Sequence, residues 1–257
     1  MPIAFVQAAT QVNIAASSAT ALTITLSGVA AGNCLVLFGS IFDGNTTWTI
    51  SSVTDGGDAF TTYQATAAAT GSSGNRSRAV VSVAPNVAGG NVTVSVNLAG
   101  TSGAAGRYYV LGLCEFSGVA LSAPEDVSAT SSEINIGTTT DCSAGGTGFT
   151  TAATSLIVGT ANPASTDTTM NLASPASWTN RYRQNDSFQF NGHDSGSWLP
   201  GAAQTNYTSQ WAHDNTAGEF GAAVAVALKE AVSSAQQGLP AKFYQRKTFG
   251  ALGLPAL

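Results

Sequence analysis

The chain has 257 residues, of which 44% are hydrophobic and only 9% charged, with a net charge of −5. Ordinary soluble domains carry roughly 25% charged residues, so the polar surface here is built from Thr, Ser, Asn and Gly, as in proteins that live inside assemblies or outside cells. Regular runs of Val, Ile, Leu and Thr exclude disorder for most of the chain, the lack of a basic stripe argues against nucleic acid as a partner, and no run of eighteen apolar residues exists to form a transmembrane helix.

The N-terminus enters a strand-like pattern at once, over 3–7, without a positive n-region or a long apolar h-region, so no signal peptide is expected. Alternation then dominates. Leu22, Ile24 and Leu26 share one face while Thr23 and Thr25 share the other. Val92, Val94, Val96 and Leu98 repeat the pattern opposite Thr93, Ser95 and Asn97. Period two with Thr outward describes half-buried antiparallel strands. Three runs, 34–42, 108–116 and 154–160, are apolar on both faces and read as central strands. Further strands are expected at 47–53, 60–66, 77–84, 206–212 and 219–228. Between them lie turn residues: Asp43-Gly-Asn45, Asp55-Gly-Gly-Asp58, Gly71-Ser-Ser-Gly74 and Ala88-Gly-Gly90. Asp, Asn and Gly tolerate the positive φ of tight turns, and ten or more short strands at this spacing predict an all-β antiparallel sandwich. The alanines of 219–232 favour a helix, but Phe220, Ala222, Val224, Val226 and Leu228 alternate with small residues, which favours a closing strand.

Residues 1–232 therefore read as the sandwich. The remainder, 233–257, reads as an extended arm that opens on a linker-like Ser233-Ser-Ala-Gln-Gln-Gly-Leu-Pro240. No Asp or Glu follows Glu230, whereas Lys242, Arg246 and Lys247 do, so a basic tail follows an acidic body. Phe243, Tyr244, Phe249 and Leu252 are too few to form a core of their own, and an arm exposing them would dock, either on a neighbouring subunit or back on its own sandwich. The arm residues Phe243, Tyr244, Arg246, Lys247, Phe249 and Leu252 are accordingly the candidate partner-binding set.

Several stretches form a recognisable group: Ser27-Gly-Val-Ala-Ala-Gly-Asn-Cys-Leu-Val-Leu-Phe38, Asp43-Gly-Asn-Thr-Thr-Trp48, Ala84-Pro-Asn-Val-Ala-Gly-Gly-Asn-Val-Thr-Val94, Glu115-Phe-Ser-Gly-Val119 with Ala123-Pro-Glu-Asp-Val127, and Thr154-Ser-Leu-Ile-Val-Gly159. Together they resemble a broad family of jelly-roll-like β-sandwich domains found in tailed-phage structural proteins and bacterial surface proteins. The resemblance covers roughly 20–160 and the closing strand near 220–230. It implies a jelly-roll-like sandwich and a structural virion role: capsid decoration (cement), or another head, tail or fibre component. It also implies other virion subunits as partners, a homo-oligomer, and a virion location reached by assembly in the host cytoplasm. It brings no catalytic residue, and Glu115 falls where the family has a strand-end Glu; the residues themselves lead to the expectation of no cofactor and no metal.

Other candidate chemistry is weaker. His193-Asp194 and His213-Asp214 would offer two imidazoles and two carboxylates to a metal if paired across a hairpin, but turn preference and chance account for them. Asp43/Asn45 and Asp55/Asp58 resemble Ca²⁺-loop ligands without the twelve-residue pattern, so turn formation is the stronger account. Glu115 and Glu133 are the only pair worth weighing as glycosidase carboxylates, and neither a Gly-x-Ser-x-Gly elbow nor a phosphate-cradling Gly loop is present. The chain does not read as an enzyme. The Asn-x-Ser/Thr triplets follow from a Thr-rich composition. Cys34 and Cys114 sit in apolar runs and Cys142 in a Gly-rich loop, an odd set that is no disulfide framework. The alternative reading is a carbohydrate-binding or adhesive module. Trp178, Tyr182, Phe188, Phe190, Trp198, Tyr207 and Trp211 cluster in 178–211, interleaved with polar residues, and Trp178, Trp198 and Trp211 would be the platforms for a surface glycan. An ordinary sandwich core with long loops explains the same aromatics.

Overall fold

The computed structural model describes residues 2–43, 48–67, 76–100, 107–136, 142–144, 150–151, 155–163, 170–174, 178–184, 193–200, 202–205, 207, 209–213 and 219–232. All regular structure among them is β. The first eight strands are β1 (Ala4–Ser17), β2 (Ala21–Val29), β3 (Cys34–Asp43), β4 (Thr49–Thr54), β5 (Thr61–Ala67), β6 (Arg76–Ala84), β7 (Gly90–Ala99) and β8 (Arg107–Ser117). The next eight are β9 (Glu125–Ile136), β10 (Cys142–Ala144), β11 (Ser155–Pro163), β12 (Met170–Ser174), β13 (Thr179–Gln184), β14 (His193–Trp198), β15 (Ser209–His213) and β16 (Glu219–Lys229). All pairings are antiparallel.

The strand orders hold a duplication. The first half forms a five-stranded sheet β1-β8-β3-β6-β5 and a three-stranded sheet β2-β7-β4. The second half forms β9-β16-β11-β14-β13 and β10-β15-β12. Adding eight to every strand number of the first half reproduces the second. Each half is one antiparallel ribbon (β1 with β8, β2 with β7, β3 with β6) rolled so that successive rungs fall in alternate sheets, the jelly-roll principle.

The halves stack back to back, giving four layers. The all-β antiparallel expectation holds; the number of layers is what the sequence left unstated. Layering explains the two strand types. In the outer sheet, β2 buries Leu22, Ile24 and Leu26 and exposes Thr23 and Thr25, and Thr25 and Thr93 join hydroxyls across the ladder at 2.9 Å. The five-stranded sheets are covered on both faces. From β3, Leu35, Leu37 and Ile41 enter the outer core with Leu22, Ile24, Val94, Val96 and Trp48, while Cys34, Val36 and Phe38 enter the central core. There they meet Leu156, Val158, Val224, Val226 and Leu228 of the second half. Burying one such side chain stabilises by about 1.5–3 kcal/mol, so this apolar sandwich of two sheets binds the halves into one unit.

The expected closing strand is β16, paired over its length with β11 and β9. A helix there would have left β9 without a ladder partner and β11 paired on one side only. Five strands escaped the sequence reading: β9, β10, β12, β13 and β14. The arm, 233–257, lies outside the described residues.

Candidate functional site

The aromatic cluster of 178–211 is built around a pair of glycines. Gly159 on β11 and Gly196 on β14 face each other in the ladder, and with no side chains they leave a flat patch. A Cβ at Gly159 would stand 3.0 Å from the Trp211 ring, and one at Gly196 would stand 2.7 Å from the Trp178 ring. The two indoles lie on this patch with centroids 6.2 Å apart and planes inclined by 58°. Trp178 donates its Nε1–H to the Tyr207 hydroxyl at 2.7 Å, and the Ser209 hydroxyl sits 3.0 Å from the same oxygen. Burial pushes the Tyr207 phenol well above its ordinary range, against the pull of these two hydrogen bonds.

Trp211 is fully buried, in the second half's outer core with Ile157, Ala223 and Ala225. It therefore fills the roll and offers no face to a sugar from solvent, which removes it from the expected glycan platform. Trp178 is half-buried and spends its N–H on Tyr207. Trp198 ends β14 opposite Ile157; its side chain lies outside the described residues, as do the side chains of Tyr182, Phe188 and Phe190. The sequence signal missed here was glycine inside strands, which marks close approach by a large neighbour.

Glu115 is a carboxylate held by three hydrogen-bond donors. It is 0% exposed. Its Oε1 accepts the Ala30 N–H at 2.8 Å and the Asn33 amide at 2.6 Å, and its Oε2 accepts the Gln7 amide at 2.6 Å. Burial would raise its pKa, but the three donors outweigh it and hold the carboxyl below its usual value. The side chain thus ties β1, the β2–β3 turn and β8 together, the structural role that its strand-end position implied.

Asp55 and Asp58 likewise serve a turn. Asp55 Oδ1 accepts the N–H groups of Gly57 and Asp58 at 2.9 and 2.7 Å, and Asp58 accepts the Ala88 N–H at 3.2 Å. Asn45 lies outside the described residues. The two His-Asp pairs are not hairpin partners: His193 begins β14, which pairs β13 and β11, and His213 ends β15, which pairs β10 and β12. Glu133 is on edge strand β9, in the second half, and Glu115 on β8, in the first. Arg78 is buried, donates to the Trp48 carbonyl at 2.8 Å and stacks 4.7 Å from the Trp48 ring. Cys34 and Cys114 are buried free thiols, each pushed up to about 12 by desolvation.

Compared with family models, curated proteins and solved structures, the chain matches none. No helix among the described residues is long and apolar enough to cross a membrane.

Proposed function

We propose that the protein is a structural component of a tailed-phage particle: a capsid decoration protein, or another head, tail or fibre component. It docks through the stacked rolls and the C-terminal arm. One observation carries the reading. The molecule is a doubled roll in which Glu115, Asp55, Asp58, Tyr207 and Arg78 are each bonded within the fold. A slab whose outer sheet β2-β7-β4 exposes Thr23, Thr25, Asn91 and Thr93 suits repeated packing against other subunits. The motifs around Asn33, Trp48 and Glu115 support the same assignment through their resemblance to phage jelly-roll domains. The arm adds the basic residues Arg246 and Lys247 and the apolar anchors Phe243, Tyr244, Phe249 and Leu252 to an acidic body, which supports docking on neighbouring subunits.

The test is particle incorporation. Full-length chain, added to or expressed with assembling particles, should co-purify with them through a density gradient, and deletion of 238–257 should abolish this while β-sheet circular dichroism is retained. Failure of the full-length chain to join any particle would overturn the assignment, and normal incorporation of the deletion would overturn the role of the arm.

A further inference from the structure

Among the described residues, each five-stranded sheet ends in two strands with a ladder on one side only, β1 and β5 in the first sheet, β13 and β9 in the second. Unpaired strand edges are templates for pairing with another chain. Back-to-back stacking gathers these four edges into two sides. On one, β1 lies beside β13, where the Arg181 guanidinium sits 4.0 Å from the Phe5 ring centroid. On the other, β5 lies beside β9, where Tyr63 donates to Glu125.

The two sides differ in charge. Strands β1 and β5 carry no charged residue. Strand β13 carries Arg181 and Arg183, while β9 carries Glu125, Asp126 and Glu133. One side is basic and the other acidic. Strand β1 also runs for 14 residues without the charge or proline that protects an edge, and it leaves Phe5 41% and Val6 47% exposed. Its counterpart by the duplication, β9, has the protection that β1 lacks.

We propose that copies of this chain join side to side, the β1/β13 side of one against the β5/β9 side of the next. A two-fold contact would set the basic side against the basic side, or the acidic against the acidic. A head-to-tail contact sets the basic edge β13 against the acidic edge β9 in the second sheet, while the uncharged edges β1 and β5 meet in the first, and such heterologous contacts close into rings or run on as fibres. The inference deepens the assembly reading by naming the surface, and it can fail alone: a chain that is monomeric yet joins particles would defeat it and leave the particle assignment standing.

Charge reversal in the full chain tests it. Arg183 and Glu133 are the residues to change, one charge from each edge strand; Arg181, Glu125 and Asp126 are kept because they contact Phe5, Tyr63 and Ser155. By sedimentation velocity at low ionic strength, the wild type should self-associate, and should weaken as salt shortens the screening length to about 3 Å at 1 M. R183E alone and E133R alone should each sediment as monomer. Their equimolar mixture should associate again, because each variant then meets opposite charge on both sides, and the double variant should associate with itself. The milder R183Q and E133Q should weaken association in the same order. A monomeric wild type, single variants that associate like the wild type, or a mixture that stays monomeric would each overturn the proposal.

Discussion

Replacing Glu115 by Ala should remove one of the strongest polar ties in the first roll. Two donors, the Ala30 N–H and the Asn33 amide, converge on one carboxylate oxygen, and the Gln7 amide reaches the other. Hydrogen bonds to a charged group contribute about 1.5–3 kcal/mol each, and a buried donor left without an acceptor costs a similar amount. The Gln7 amide also donates to the Ser27 carbonyl at 3.1 Å, so its loss is partial. The expected destabilisation is about 3–5 kcal/mol, or a fall in Tm of about 10–15 °C for a chain of this size. E115Q keeps the shape and one acceptor oxygen, and should cost about 1–2 kcal/mol. The pH dependence follows from the depressed carboxyl pKa. The folded value lies below the unfolded one, so the contribution is fully present above the ordinary value of 4.5 and is lost as pH falls through the folded value. Denaturant unfolding of wild type and E115Q should therefore give a gap that is constant at neutral pH and closes under acid. A loss below about 1 kcal/mol in E115A, or a gap that widens on acidification, would refute the reasoning.

Other outcomes follow from the same contacts. Gly39→Ala should destabilise by about 1–3 kcal/mol, because its Cβ would stand 2.5 Å from Val80 Cγ1 in a filled core; thermal unfolding measures it. Trp211→Ala should cost about 3–5 kcal/mol through the cavity it leaves, seen as a lower denaturant midpoint, since the ring is interior. Cys34 and Cys114 should resist a thiol-specific chromogenic reagent at pH 8 in the native protein and react on unfolding, because burial holds both near 12; rapid native labelling of either would contradict their place in the central core.

The first roll was the more legible half. Its outer strands alternate cleanly because one face meets water, and Leu22-Thr-Ile-Thr-Leu26 could be read residue by residue. Its central strands read as apolar on both faces for a reason the sequence did not disclose: a second roll covers the far face, so Val36 and Phe38 are as buried as Leu35 and Leu37. The second roll was harder to see. Strand β9, Glu-Asp-Val-Ser-Ala-Thr-Ser-Ser-Glu-Ile-Asn-Ile, is an edge whose polar residues hide the period of two. Strands β10 and β12 have 3 and 5 residues, too short for a pattern. The duplication itself was invisible because equivalent strands use different volumes. Strand β8 fills its layers with Tyr108, Leu111, Leu113 and Phe116, and β16 fills the same places in its own sheet with alanines and valines. The Ala223 and Ala225 face is small because Trp211 occupies the space opposite. Among the site residues, Glu115 was placed by its motif, whereas Trp211 lies against Gly159, a strand glycine whose meaning depends on a neighbour distant in sequence.

Electron cryomicroscopy of purified particles carrying a labelled full-length chain tests the central claim most directly. The account predicts four-layered β density at regular, repeated positions on head, tail or fibre, coincident with the label. Particles that bear no such density, together with label confined to the unassembled fraction, would contradict it.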